Sequence, residues 1–217
     1  MLGRMRRVVV PEILDELAAD DPAAVRSRRD LAMINALMGN ERWVCRAVAE
    51  NPAAASRGIV EIGAGTGRLI SRLARRFPEA PVAAIDLVGP PPRIDPRIRW
   101  HQGDVFAELG TLTAGVLVAN LFLHHFEADA LGRLAGLLDR FALLVVCEPR
   151  RSRAALAASL PLLPLVNRVT RHDMPVSIRA GFRSGELAKL LMLDPLCWNV
   201  SESCTWRGAQ RMVACRA

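Results

Sequence analysis

The chain has 217 residues, 51% of them apolar, with 29 Lys and Arg against 22 Asp and Glu, for a formal net charge of +7. That length suits one domain with a sizeable core, and the apolar content excludes a disordered chain. No apolar run approaches the roughly 20 residues of a membrane span, and the Val8-Val9-Val10 run that follows the basic start stops at Pro11, too short for a signal-peptide core.

A cytoplasmic protein without membrane contact is therefore expected. The five cysteines (Cys45, Cys147, Cys197, Cys204, Cys215) are scattered and form no Cys-x-x-Cys pair, so thiols in a reducing compartment are expected, with no disulfide and no metal. Nearly all the positive charge is arginine, and Lys189 is the only lysine. The arginines are spread along the chain and tyrosine is absent, so stacking platforms are scarce and nucleic acid is not the expected partner. A small-molecule substrate fits better, and the assembly state is left open, a homodimer included.

Residues 11–50 read as helices. Pro11 suits a first turn, and Ile13, Leu14 and Leu17 share a face. Asp21-Pro22 restarts the pattern as an N-cap followed by proline, and the helix ends at Gly39-Asn40. A third helix carries Trp43, Val44, Ala47 and Val48 and stops at Asn51-Pro52. Arg26, Arg28 and Arg29 read as a solvated face. Residues 1–57 form an expected N-terminal helical cap segment ahead of a core at 58–217.

Residues 59–69 change period. The apolar Ile59, Val60 and Ile62 lead into Gly63, Gly65 and Gly67, and Leu69, Ile70, Leu73 and Phe77 follow at helical spacing. This is a strand, a tight turn and a helix, whose free N–H groups point at whatever occupies the turn. The third glycine comes one residue too early for the dinucleotide fingerprint Gly-x-Gly-x-x-Gly, which disfavours an NAD(P) oxidoreductase.

Residues 81–86 form the second strand and end in Asp86, where doubly wound folds place an acid that accepts from ribose hydroxyls. Gly89-Pro90-Pro91-Pro92 is a stiff loop. Residues 97–101 are a third strand, followed by Gly103-Asp104-Val105. The fourth strand, residues 115–120, continues as Leu121-Phe122-Leu123-His124-His125-Phe126. A packing helix at 129–140 leads to the fifth strand, residues 141–147, which ends in Glu148-Pro149-Arg150-Arg151. Strand C-termini line the ligand crevice of open α/β sheets, which makes Glu148 and Arg150 pocket candidates. Residues 159–183 are the least regular part, an apolar stretch broken by prolines with His172, Asp173 and Arg179 close together, and they suggest a substrate lid. A helix from Ser184 to Met192 and a hairpin turning at Arg207-Gly208 complete the chain.

The pattern Glu61-x-Gly63-x-Gly65-x-Gly67 resembles motif I of the class I S-adenosylmethionine-dependent methyltransferases, small-molecule type. The resemblance covers residues 58–217 well and the N-terminal part loosely. It implies a doubly wound, Rossmann-like, mostly parallel seven-stranded α/β sheet with an antiparallel last strand. It also implies S-adenosylmethionine as cofactor, with Glu61, Gly63, Gly65, Gly67, Asp86, Asp104, Val105 and Asn120 around it: Asp86 on the ribose, Asp104 on the adenine amino group, and Val105 beside the ring. Asn120-Leu121-x-Leu123-His124-His125-Phe126 is similar to the stretch after strand four in small-molecule members, and Glu148-Pro149-x-Arg151 also occurs in the family. The acid that the family usually has before strand four is replaced by Thr113-Ala114-Gly115. Residues 171–187 resemble a stretch of bacterial methyltransferases associated with type III polyketide synthases.

O-methylation of a hydrophobic or phenolic, polyketide-type metabolite is the expected reaction. Catalytic candidates are His172 and Asp173, with His124 and His125, because imidazoles titrate near neutrality; substrate candidates are Arg179, Glu148 and Arg150. A nucleic-acid methyltransferase is the first alternative, but Asn120-Leu121-Phe122-Leu123 lacks the Asn/Asp-Pro-Pro-aromatic motif. A non-catalytic methyltransferase-like partner of a biosynthetic enzyme is the second.

Overall fold

The computed structural model describes residues 5–217, so the first four residues of the expected N-terminal segment, and the start of its basic run, lie outside the described residues. Seven strands, β1 (Ile59–Ile62), β2 (Val82–Asp86), β3 (Ile98–Gln102), β4 (Val116–Asn120), β5 (Leu143–Pro149), β6 (Trp198–Cys204) and β7 (Ala209–Arg216), form one sheet in the order β3-β2-β1-β4-β5-β7-β6. β1 to β5 are mutually parallel, and β7 runs antiparallel to both β5 and β6. The central strands are apolar throughout because both faces are covered. Val60, Ile62, Leu117, Ala119, Leu144 and Val146 join one core cluster, while Ile59, Val116, Val118, Leu143, Val145 and Cys147 join the other. The alternation follows from the two-residue period of a strand.

Helices α1 (Ile13–Glu16), α2 (Pro22–Met38), α3 (Asn40–Ala49) and α4 (Pro52–Ser56) precede β1. The expected cap of α2 forms: the Asp21 carboxylate accepts from Ala23 N at 2.6 Å, Pro22 is in the first turn, and Gly39 closes the helix in the left-handed conformation. α3 ends at Ala49, just ahead of Asn51-Pro52 as expected, and Pro52, well suited to opening a helix, begins the further helix α4. Val44, Ala47 and Val48 of α3 and Ala55 of α4 belong to the sheet core. A Cβ at Gly115 would stand 2.0 Å from the Ala54 carbonyl oxygen, so the glycine of Thr113-Ala114-Gly115 lets α4 lie directly on the start of β4.

The chain leaves β4 at Asn120 rather than continuing as strand. Leu121 takes a left-handed φ of 56°, and Leu123–His125 form a single 3-10 turn. After α5 (Arg68–Arg76) and α6 (Val105–Glu108), the predicted helix at 129–140 becomes α7 (Ala128–Ala135) plus a 3-10 turn at Leu138–Arg140, and β5 extends through Glu148 and Pro149.

The largest correction falls on 159–183. This stretch is helical, with α8 (Arg153–Ser159), a 3-10 segment at Leu160–Leu165 and α9 (Arg168–Ala180). Asn167 caps α9, its Oδ1 accepting from Thr170 N at 2.9 Å. Pro175 removes one helical donor, yet Val169, Thr170, Met174 and Ile178 bury one face and keep α9 continuous across it. α2 is fastened to α9 by Asn167 N to Asp30 Oδ2 at 2.8 Å and by the Ser27–Thr170 hydroxyl pair at 2.8 Å. A short α10 (Glu186–Leu190) then leads to the terminal hairpin, whose Gly208 has φ 85°.

Candidate active site

The strand order reverses direction between β1 and β4, and open α/β sheets bind ligands outside the strand C-termini at such a point. Here those termini carry the glycine turn on one side and Asn120-Leu121-Phe122 on the other. Gly63, Gly65 and Gly67 all have left-handed φ, of 66°, 54° and 67°. A Cβ on Gly65 would meet nothing within 4 Å, whereas one on Gly63 would stand 2.1 Å from Cδ2 of Phe122. The turn is thus open at Gly65 and covered at Gly63 by the Phe122 ring. Asp86, at the end of β2, accepts from Gly65 N at 2.7 Å through Oδ2 and from Val88 N at 2.9 Å through Oδ1. It stays half-exposed, and a carboxylate has about four acceptor positions, so two remain for a ligand.

Two buried oxygens at this place have no protein partner, Oδ1 of Asn120 and Oε2 of Glu61. Glu61 lies under the turn rather than in it. It is 2% exposed, and burial pushes its carboxyl well above the usual range against the opposing Ile70 N–H. Asp104 caps α6, its Oδ1 accepting from Phe106 N at 3.0 Å, and is otherwise exposed. Val105 turns into the core instead of lining the crevice, and it is Phe106 that reaches the aromatic group of Phe122 and Phe126.

The substrate and catalytic candidates fare differently. Glu148 is completely buried and makes no pocket wall. Its Oε1 accepts from Phe122 N at 3.0 Å and Leu123 N at 2.8 Å, and its Oε2 meets His124 Nδ1 at 2.7 Å, so it shapes the turn after β4. His124 is buried as well, with Nε2 facing Glu12 Oε1 at 3.6 Å. Burial opposes its charge, but Glu12 and Glu148 outweigh burial and hold its pKa up at about 9. Glu12 in turn lies below the usual carboxylate range: burial raises it, and the two histidines and the Ser177 hydroxyl more than reverse this. His125 stacks on His124 with ring centroids 4.3 Å apart and meets Asp15 Oδ2 at 3.2 Å.

His172 and Asp173 do not form a free acid–base pair. Asp173 is 3% exposed and caps α1, accepting from Ile13 N at 2.9 Å and Leu14 N at 3.0 Å, while His172 rests on it at 2.9 Å with its side chain half in solvent. Arg179 is exposed; its guanidinium reaches Pro175 O of its own helix, and its carbonyl oxygen accepts from Val8 N at 3.3 Å. Arg150 contributes a backbone bridge to Phe182. The buried cation here is Arg151, which donates to Met5 O, Gly181 O and Glu186. Sequence reasoning gave no role to Glu12 and Arg7, which lie outside any motif, nor to Ser177 and Arg151, which lie within resembling stretches but were not singled out. Arg7 donates to Ala180 O at 2.7 Å and Phe126 O at 2.7 Å and thereby ties the N-terminal segment to α9 and to the turn after β4. Burial lowers its pKa.

No protein-family model matches the chain. Among curated proteins, an uncharacterised methyltransferase of Mycobacterium tuberculosis is 37% identical over 97 residues, which are 41% of this chain. The match spans 48% of that relative, so the chain covers about half the length of the curated relatives it matches. Among solved structures, the plantazolicin methyltransferase BamL in complex with a triazolic desmethylPZN analog and SAH superposes with a TM-score of 0.74 at 9% identity, covering 94% of this chain and 92% of that one. The pyocyanin biosynthetic protein PhzM gives 0.63 at 19% identity, over 95% and 62% of the two chains. The fold is therefore the Rossmann-like methyltransferase fold, with a mostly parallel seven-stranded sheet.

Proposed function

We propose that the chain is a methyltransferase that uses S-adenosylmethionine to O-methylate a hydrophobic or phenolic small molecule of polyketide type. The observation that carries this is the open glycine turn at Gly65 held by Asp86 at the switch point of the sheet. The named methyltransferases among its relatives, and SAH in the structures of the same fold, support it.

The residues present fit such a cofactor. Gly65 leaves the backbone approachable, Asp86 keeps acceptor capacity for two ribose hydroxyls, Asp104 Oδ2 is free for an adenine amino group, and the unpartnered Asn120 Oδ1 is an acceptor for an ammonium. When bound, the sulfonium supplies the activated methyl group. The protein's part is alignment and water exclusion. Phe106, Phe122 and Phe126 form an apolar wall beside the turn. Among the described histidines of this region, His124 is enclosed by Glu12 and Glu148, and His125 and His172 each rest on an aspartate.

Calorimetric titration with S-adenosylmethionine, S-adenosylhomocysteine and NADPH tests the reading. Micromolar binding of the two sulfur compounds, lost in Asp86→Ala, is expected, and a screen of phenolic acceptors follows. If neither sulfur compound binds to the folded protein, the enzyme reading falls and the non-catalytic partner takes its place.

A further inference from the structure

The buried contact between Glu12 and His124 is longer than a hydrogen bond. Glu148 accepts backbone N–H groups from Phe122 and Leu123 and lies 2.7 Å from His124 Nδ1. As an acceptor-only carboxylate it fixes Nδ1 as a donor. The Nε2 of His124 faces Glu12 Oε1 across 3.6 Å, with both groups buried. A shared proton would draw them to about 2.7–2.9 Å, but they stand 3.6 Å apart. Two ligands of one metal ion, each about 2.0–2.2 Å from it, are separated by roughly 3.2–3.8 Å at ordinary bond angles.

A third donor completes the set. Ligand atoms of Glu12, His124 and His125 all lie within 4.8 Å of one another. The surroundings match what metal-bound imidazoles require. His124 has Glu148 on its second nitrogen and His125 has Asp15 at 3.2 Å from Nδ1, and such outer carboxylates orient the rings and raise their basicity. The Ser177 hydroxyl donates to Glu12 and steadies the carboxylate. Four carboxylates (Glu12, Asp15, Glu148, Asp173) gather here. Of the nearby guanidiniums, Arg7 is directed to backbone carbonyls and Arg151 to Glu186, so the place carries surplus negative charge.

We propose that Glu12, His124 and His125 form a two-histidine, one-carboxylate site for a divalent transition metal of the zinc class, bridging α1 and the turn after β4. Such a donor set leaves a coordination position open. The site goes beyond the methyl-transfer reading and stands whether or not that reading holds. It departs from the expectation of no metal, because the sequence shows only an adjacent histidine pair and gives no sign that Glu12 meets it.

The full chain, stripped with chelator, is titrated with Zn²⁺ against a chromophoric competitor and with Co²⁺ followed by visible absorption, with elemental analysis of the protein as isolated. One equivalent of Zn²⁺ and a Co²⁺ d–d spectrum are expected. Binding should weaken at least 100-fold in Glu12→Gln and in His125→Ala, and about 10- to 100-fold in the outer-shell variant Asp15→Asn. His125 and Asp15 are partly exposed, so those two variants remain folded comparators if Glu12→Gln does not fold. Absence of stoichiometric binding by the folded wild type overturns the proposal. So does binding that none of the variants weakens, or nitrogen NMR showing both ring nitrogens of His124 protonated in excess Zn²⁺. Calorimetry with S-adenosylhomocysteine on the same samples keeps failure of the metal site distinct from failure of the methyltransferase reading.

Discussion

Gly63 and Gly65 share a left-handed backbone but differ in what surrounds them, which separates folding from binding. An alanine at either position incurs about 1–2 kcal/mol for a left-handed L-residue. At Gly63 the new methyl also meets the Phe122 ring at 2.1 Å, and overpacking of that kind costs about 1–3 kcal/mol more. At Gly65 it projects into open space. Gly65→Ala should therefore melt only a few degrees below the wild type yet bind S-adenosylhomocysteine at least tenfold more weakly, while Gly63→Ala should lose more stability and also binding. Calorimetry and thermal melts on the pair check this, and a Gly65→Ala protein with undiminished binding would move the cofactor away from the turn. The glycines were legible in sequence because the turn is local. Their difference was not, because Phe122 comes from the end of the neighbouring strand β4, some sixty residues on along the chain.

At the scale of elements, α9 is where proline counting misleads. Pro161, Pro164 and Pro175 suggest an irregular lid, but the first two fall in a 3-10 segment, where fewer donors are needed, and the third lies in a helix held by packing on α1, α2 and the turn after β4. Asp173 is the hinge pin of this arrangement. Its two oxygens cap the otherwise unsatisfied N–H groups of Ile13 and Leu14. Asp173→Ala should cost about 1–3 kcal/mol, a fall in Tm of some degrees for a chain of this size. Amide exchange at Ile13 and Leu14 should accelerate, and Asp173→Asn should recover part of both losses. Unchanged exchange at those amides would instead return Asp173 to the list of chemical candidates.

For the whole molecule, stability against pH reports the burial of Glu61. Its carboxyl is raised by burial, so the folded state binds a proton more tightly than the unfolded chain, whose glutamate titrates near 4.3. The contribution is fully present below that unfolded value and is lost as pH rises from it toward the folded pKa. Glu61→Gln should then melt with the wild type at pH 4 and progressively above it toward pH 8, and a gap that stays constant across that range would refute this. The sequence alone made legible what short segments decide: the strand–turn–helix at 59–76, the succession of strands along the chain, Asp86 at a strand end, the cap of α2, and the terminal hairpin. Each depends on local dihedral preference or on a period of two or 3.6 residues. Only the tertiary structure decided that Glu148 is a buried support and not a pocket wall, that α3 and α4 belong to the sheet, and that Glu12 meets His124. Those depend on which distant side chains share a low-dielectric interior, where an acceptor must find a donor or a cation and where no spacing rule along the chain records the partner.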